Sequence, residues 1–156
     1  MPKGNKAKTR LGRNELIASV LVLVASLGGL YFSSRDTFVP TATINQHEFR
    51  LQIADDSAER KLGLSGQDAL DNDEAMLFIY STSDMYGIWM KDMKFSIDII
   101  WMDENQRVVH IEENISPSTY PESFIPSVDA RYVLEVYTGQ VEAKGIGLGD
   151  EVKLSI

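Results

Sequence analysis

The chain has 156 residues, a formal charge of −8 and no cysteine, which bounds it to one domain with an appendage. Disulfides, thiol nucleophiles, thiolate metal sites and a lipoprotein anchor are thereby excluded. Residues 1–35 carry six Lys and Arg against one Glu, a net +5, and the remainder nine against 22 Asp and Glu, a net −13, so the larger part repels phosphate backbones and nucleic acid is excluded as a partner.

Residues 1–15 read as a basic cytoplasmic tail. Residues 16–34 are 19 consecutive uncharged positions, and a helix of that length reaches about 28 Å, close to the hydrocarbon thickness of a bilayer. The basic flank holds the N-terminus in the cytoplasm and sends the rest across. The chain is therefore expected to be a single-pass protein of the cell membrane with an extracytoplasmic acidic domain. A secretory signal has an apolar region of about 7–15 residues and a small-x-small cleavage site. Here the run closes on Gly29, Leu30, Tyr31 and Phe32, which favours an uncleaved anchor over a secreted or periplasmic product of signal cleavage. Residues 35–43, with Pro40, read as an extended linker, and 44–156 as the globular domain. A domain of that size buries roughly two-thirds of its unfolded surface and needs no covalent staples.

After His47, the alternation of Phe49, Leu51 and Ile53 with Glu48, Arg50 and Gln52 predicts a half-buried strand. Asp55, Asp56 and Ser57 offer N-caps and Gly63 a stop, which predicts a short helix between them. An acidic loop, 68–74, precedes the apolar run 75–80, a second strand, and 81–87 reads as another loop. The stretch 95–102, a tight connection at Asp103, Glu104 and Asn105, and the segment 107–112 read as a hairpin. Residues 114–128 contain Pro117, Pro121 and Pro126 and read as a long surface excursion. A strand at 131–137, one helical turn at 139–144 and a last strand at 151–156 complete the chain. The fold class is thus α+β and strand-rich, a mostly antiparallel curled sheet, sandwich or partial barrel, with one or two short helices behind an N-terminal transmembrane helix.

Two acids fall where a surface carboxylate would not. Alternation places Asp98 on a face with Ile100 and Met102, and Glu135 on a face with Val133 and Tyr137. An ionised carboxylate in such surroundings must be paired or hydrogen-bonded, or it neutralises. Basic partners are scarce: Arg60, Lys91, Lys94, Arg107 and Arg131 are the candidates. The functional reading is a ligand-binding pocket of Trp89, Lys91, Asp92, Asp98 and Glu135, with Arg60 as a further contact. The structural reading is a buried charge pair tying strands together, or acids exposed at a sheet edge. His47 and His110 could join Glu112 in a metal site, but the spacing matches no metal motif, and neither metal nor cofactor is expected. The acidic loop lacks the central Gly and distal Glu of a calcium loop, and no Ser lies in Gly-x-Ser-x-Gly.

The ordered set Arg60-x-x-Gly63-Leu64, Met76-Leu77-Phe78, Trp89-Met90-Lys91, Ile97-Asp98-Ile99-Ile100, Val108-Val109, Pro117, Tyr132-Val133-Leu134-Glu135, Gly139 and Gly149-Asp150 resembles the domain-of-unknown-function family 192 over nearly all of residues 49–156. The resemblance implies a compact strand-rich domain, often behind a signal or anchor, and no established activity. It also departs from that family: Ser65 and Gln67 stand where Met and Arg are usual, Ala75 for Gly, Ser96 for Pro, and Asp92 and Met93 for Asn and Thr. The Asp92 change alters the charge of the candidate pocket. The expected function is an accessory module of the cell envelope that binds a small ligand or an envelope protein. The alternative is an envelope hydrolase using Asp98 and Glu135 as acid and base, which requires the two within about 10 Å in one cleft.

Overall fold

The computed structural model describes residues 38–156. The expected cytoplasmic tail, the apolar segment 16–34 and the first residues of the linker lie outside the described residues. Among the described residues no helix is long and apolar enough to cross a membrane.

The chain opens with a hairpin of β1 (Thr41–Ile44) and β2 (His47–Ala54). Asn45 and Gln46 turn it, both at positive φ, as a two-residue hairpin connection requires. The domain thus begins before the expected Ile44. Thr41 and Thr43 alternate with the buried Ala42 and Ile44, a strand pattern in which Ala supplies too little apolar signal to be read. Helix α1 (Ser57–Leu62) follows, closed at its start by a capping box in which Asp56 accepts from Ala58 and Glu59 N–H, and Glu59 reaches back. Strand β3 (Glu74–Asp84) then runs parallel to β2, and it continues through residues expected to be loop.

The two-residue β4 (Ile88–Trp89) leads to β5 (Ile97–Met102), which forms the expected hairpin with β6 (Val108–Ile115). Asp103 braces the turn by accepting from the N–H groups of Asn105 and Arg107. The proline-rich excursion contains a 3₁₀ turn (Pro117–Thr119) and β7 (Ser123–Phe124), and β7 pairs with β4 in a separate small ribbon. Strand β8 (Ala130–Tyr137), helix α2 (Gln140–Ala143) and β9 (Lys153–Ser155) end the chain.

The main sheet has seven strands in the order β6-β5-β8-β3-β2-β1-β9, antiparallel except for the β2–β3 pair. It curls into a half barrel, because Arg107 just before β6 bridges to Glu151 just before β9, with Val108 N–H donating to the Asp150 carbonyl and Val152 N–H to the Gln106 carbonyl. A core fed by all seven strands fills the concave side, with Ile44, Phe49, Leu77, Ile100, Met102 and Leu134 among its buried members. A second core covers the convex side, where Phe78, Ile99, Trp101 and Val133 pack beneath Leu64, Leu70 and Met90. Strand β5 is buried along its whole length, which is why it reads as a continuous apolar run.

Asp98 points to the concave side, where it opposes Val136 across β8. Its Oδ1 accepts from Asn114 N–H at 2.9 Å, where a bulge throws β6 out of register and Asn114 adopts a left-handed φ. Its Oδ2 accepts from Val141 N–H at 3.0 Å, supplying to α2 the cap that Gly139, at φ 81°, has no side chain to give. The carboxylate therefore replaces water for two backbone donors at once. Removing it with Asp98→Ala is expected to cost about 3 kcal/mol, with Asp98→Asn between the two. Urea denaturation at unchanged m-value checks this, and wild-type stability in Asp98→Ala would refute the bracing role.

Candidate functional site

On the convex side, Phe78 and Tyr80 of β3 and Glu135 of β8 form the floor of a hollow of about 60 Å³. Residues 60–65 cross over it as a roof, and Gly87, Ile88, Trp89 and Met93 close the flank. Gly63 ends α1 at φ 52°, and a Cβ there would lie 3.3 Å from Phe78 Cζ; glycine lets the chain turn this close to the floor. At Gly87 a Cβ would fall 2.5 Å from Ser123 Oγ and 3.2 Å from Ile125 Cγ1, so a side chain there would force those two side chains to move.

Arg60 holds the roof down. Strand β2 ends at Ala54, opposite Phe78, and the β3 carbonyls beyond that point lose their partner strand. Arg60 Nη1 donates to the Ile79 carbonyl at 2.9 Å and also to the Asp55 carbonyl. Its guanidinium lies 5.0 Å from the centre of the Tyr80 ring, a cation–π contact, and Tyr80 stacks on Tyr86 at 3.4 Å with the planes 7° apart. Burial pushes the Tyr80 hydroxyl up to about 12; the Arg60 charge pulls the other way, and Glu135 and Tyr86 add to the rise.

Glu135 is 4% exposed and faces Met76 on one neighbouring strand and Ile99 on the other. No hydrogen bond from a described side chain reaches its carboxyl, and the ion pairs of the described residues fall on Arg50, Lys94 and His110 instead. Burial alone raises its pKa to about 8. This group is therefore a neutral acid at the bottom of a hollow, with hydrogen-bonding capacity in reserve.

A second, more open hollow of about 320 Å³ adjoins the first, sharing Lys61, Leu62 and Ser65 and adding Ala58, Lys91 and Asp92. Ser65 Oγ donates to the Lys91 carbonyl at 2.7 Å and Gly66 N–H to the Asp92 carbonyl at 2.9 Å, which pins the roof to the loop that follows β4. Asp92 stands at φ 55°, a conformation that Asp and Asn tolerate better than other side chains. The backbone here thus accounts for an Asp or Asn at this position independently of charge. Around both mouths Leu62 and Trp89 are 63% and 46% exposed, and Trp89 meets Tyr120 edge-on at 6.1 Å.

Of the residues singled out in the sequence, Arg60, Trp89 and Glu135 line the inner hollow and Lys91 and Asp92 the outer one. Asp98 does not join them. Because Ile99, not Asp98, lies opposite Glu135, sheet parity puts the two acids on opposite faces, and an acid–base pair of Asp98 and Glu135 in one cleft is not formed. Tyr80, Phe78, Lys61, Leu62 and Ser65 also belong to the site, although the sequence marks none of them as a contact; Phe78 and Ser65 stand out there only as a member of, and a departure from, the ordered family motifs. His110 pairs with Glu112 at 3.2 Å, and among the described residues no group of three or more His, Asp or Glu gathers at one point.

A raised carboxyl pKa means that the folded protein keeps a proton which the unfolded chain releases between about pH 4.5 and about pH 8. The associated stability is complete below about pH 4.5 and disappears as pH rises through about 8, at no more than about 1.4 kcal/mol per pH unit. Glu135→Gln is expected to remove this slope and to be the more stable protein at the alkaline end. Paired denaturation curves across the range test it, and parallel pH profiles would count against a buried neutral acid.

Comparison with known proteins bears on the whole domain. The family model DUF192, described as Uncharacterized ACR, matches residues 40–154. A crystal structure of a protein of unknown function from Novosphingobium aromaticivorans DSM 12444 is similar at 30% identity and TM-score 0.69, over 72% of this chain and 83% of that one. Another, from Sinorhizobium meliloti 1021 and named as a candidate transcription regulator, is similar in fold at 21% identity and TM-score 0.70, over 78% of this chain and 98% of that one. A comparison with curated proteins gives no match.

Proposed function

We propose a function from one premise, that the chain belongs to the DUF192 family: it is a membrane-anchored extracytoplasmic binding module that takes a small ligand into the hollow over Glu135. The observation that carries this reading is the buried carboxyl itself. A core position filled by an apolar side chain would cost nothing in desolvation, whereas Glu135 sits without a hydrogen bond from any described side chain and opens on a cavity that its neighbours leave unfilled. Such a group gains a partner when a ligand enters, and the exposed Trp89 at the mouth gives the ligand an apolar wall. The exposed Leu62 and Tyr120 beside it extend the contact surface to a partner protein as the second reading.

The membrane placement rests on the charge step at residue 35 and on the 19 uncharged positions before it. It predicts that alkaline phosphatase fused after Ile156 is active and that a cytosol-dependent fluorescent reporter at the same site is dark. The reverse pattern would overturn the topology.

Trp89 also reports on binding. Trp101 is fully buried, so a ligand at the mouth changes the emission of Trp89 and raises the melting temperature in proportion to its concentration over Kd. Trp89→Ala is expected to weaken that stabilisation while leaving the unliganded domain folded. If no compound in a broad metabolite screen moves either signal, the binding reading fails.

A further inference from the structure

We infer that the hollow over Glu135 receives a primary ammonium head carried on a short, unbranched aliphatic stem. This rests on the binding reading above and names the chemistry of the ligand.

Three observations converge on it. The carboxyl of Glu135 is 4% exposed, lines the hollow and has no ion-pair partner among the described residues. An arriving ammonium turns that neutral acid into its own counterion. Phe78 and Trp89 line the same space, and aromatic rings attract cations and repel anions at their faces; the Tyr80 ring is already taken up by Tyr86 and Arg60. The volume, about 60 Å³, accepts a head of a few atoms, whereas ring-sized ligands occupy pockets of about 300–1,000 Å³.

Two cations, Arg60 and Lys61, share the lining with Glu135, so the head has to sit against the carboxyl and away from them. From α1, the guanidinium of Arg60 is engaged with two backbone carbonyls and the Tyr80 ring, and Lys61 lies on the wall shared with the outer hollow. From β3 comes the Tyr80 hydroxyl, held neutral by burial; β4 contributes only Ile88 and Trp89, and the strands on either side Met76 and Ile99. A stem that leaves the inner hollow toward Lys61 and Leu62 meets the outer one, which those residues also line. There Lys61 and Lys91 outnumber Asp92, so a neutral or anionic tail is preferred to a second ammonium. The net −13 of residues 36–156 draws cations toward the domain from a distance.

The test is isothermal titration of the purified full-length chain with n-butylamine, γ-aminobutyrate and butyrate. It is run at about pH 6 and about pH 8 in two buffers of different ionisation enthalpy. The two amines are expected to bind, to release close to one proton per site at the lower pH, and to bind about tenfold or more tightly at the higher pH, as Glu135 ionises. Butyrate is expected not to bind. Glu135→Gln should lose both the proton release and at least tenfold in amine affinity, and Glu135→Met, which keeps the volume, should do the same. Butyrate binding that strengthens at low pH, or amine binding without proton release, would overturn the ammonium assignment and leave a pocket that binds something else. Silence from all three probes in the titration and in Trp89 emission would overturn the assignment as well. Only a similarly silent metabolite screen would remove the binding reading with it.

Discussion

Two neighbouring strands that run the same way cannot be joined by a tight turn. The chain leaving β2 must travel back along the sheet before β3 can start beside it, and in this domain residues 55–73 make that journey over the convex face. The roof over the hollow, the lid of Leu64 and Leu70 on the second core, and the outer groove all consist of this one connection. Its length is filled mostly by irregular chain, so it needs fasteners. The capping box of Asp56 and Glu59 fixes where it begins, Arg60 ties it to the unpaired carbonyl of β3, and Ser65 and Gly66 tie its far side to Lys91 and Asp92.

The sheet buries two carboxyl groups and treats them in opposite ways. Asp98 faces the concave core, where two backbone N–H groups, one from β6 and one from α2, donate to its two oxygens. Glu135, one strand away and on the other face, meets apolar neighbours and an open space. The first acid is spent on holding β6 and α2 in place. The second keeps its bonding capacity, which is why the candidate site is built around it and not around the pair.

Much of the architecture could be read from period and punctuation. The alternation at 49–53, the apolar runs at 75–80 and 97–102, the hairpin around Asp103 and the capped helix after Asp56 all correspond to elements of the structure. Each carries its signal locally. Strands β4 and β7 could not be read, since two residues have no period, and their pairing is made by a loop-to-loop contact distant in sequence. The burial of Asp98 and Glu135 was legible because each acid interrupts an apolar strand. Their relative placement was not, because alternation assigns a face only within one strand, and the register between β5 and β8 decides which residue looks across at which. Asp92 illustrates the converse: read as a charge, it suggests a ligand contact, while its positive φ supplies a backbone reason for its identity.

The meeting of the two outer strands has a consequence for how copies of the domain behave when crowded. Open strand edges are templates for pairing with another chain. Here the start of β6 is occupied by the segment before β9, and β9 itself is only three residues long. What is left of the β6 edge carries Glu112 and Glu113, which would face their like charges in an antiparallel edge-to-edge pair centred on that stretch. The half barrel thus protects itself from aggregation partly by closing and partly by electrostatic repulsion at the stretch it leaves open.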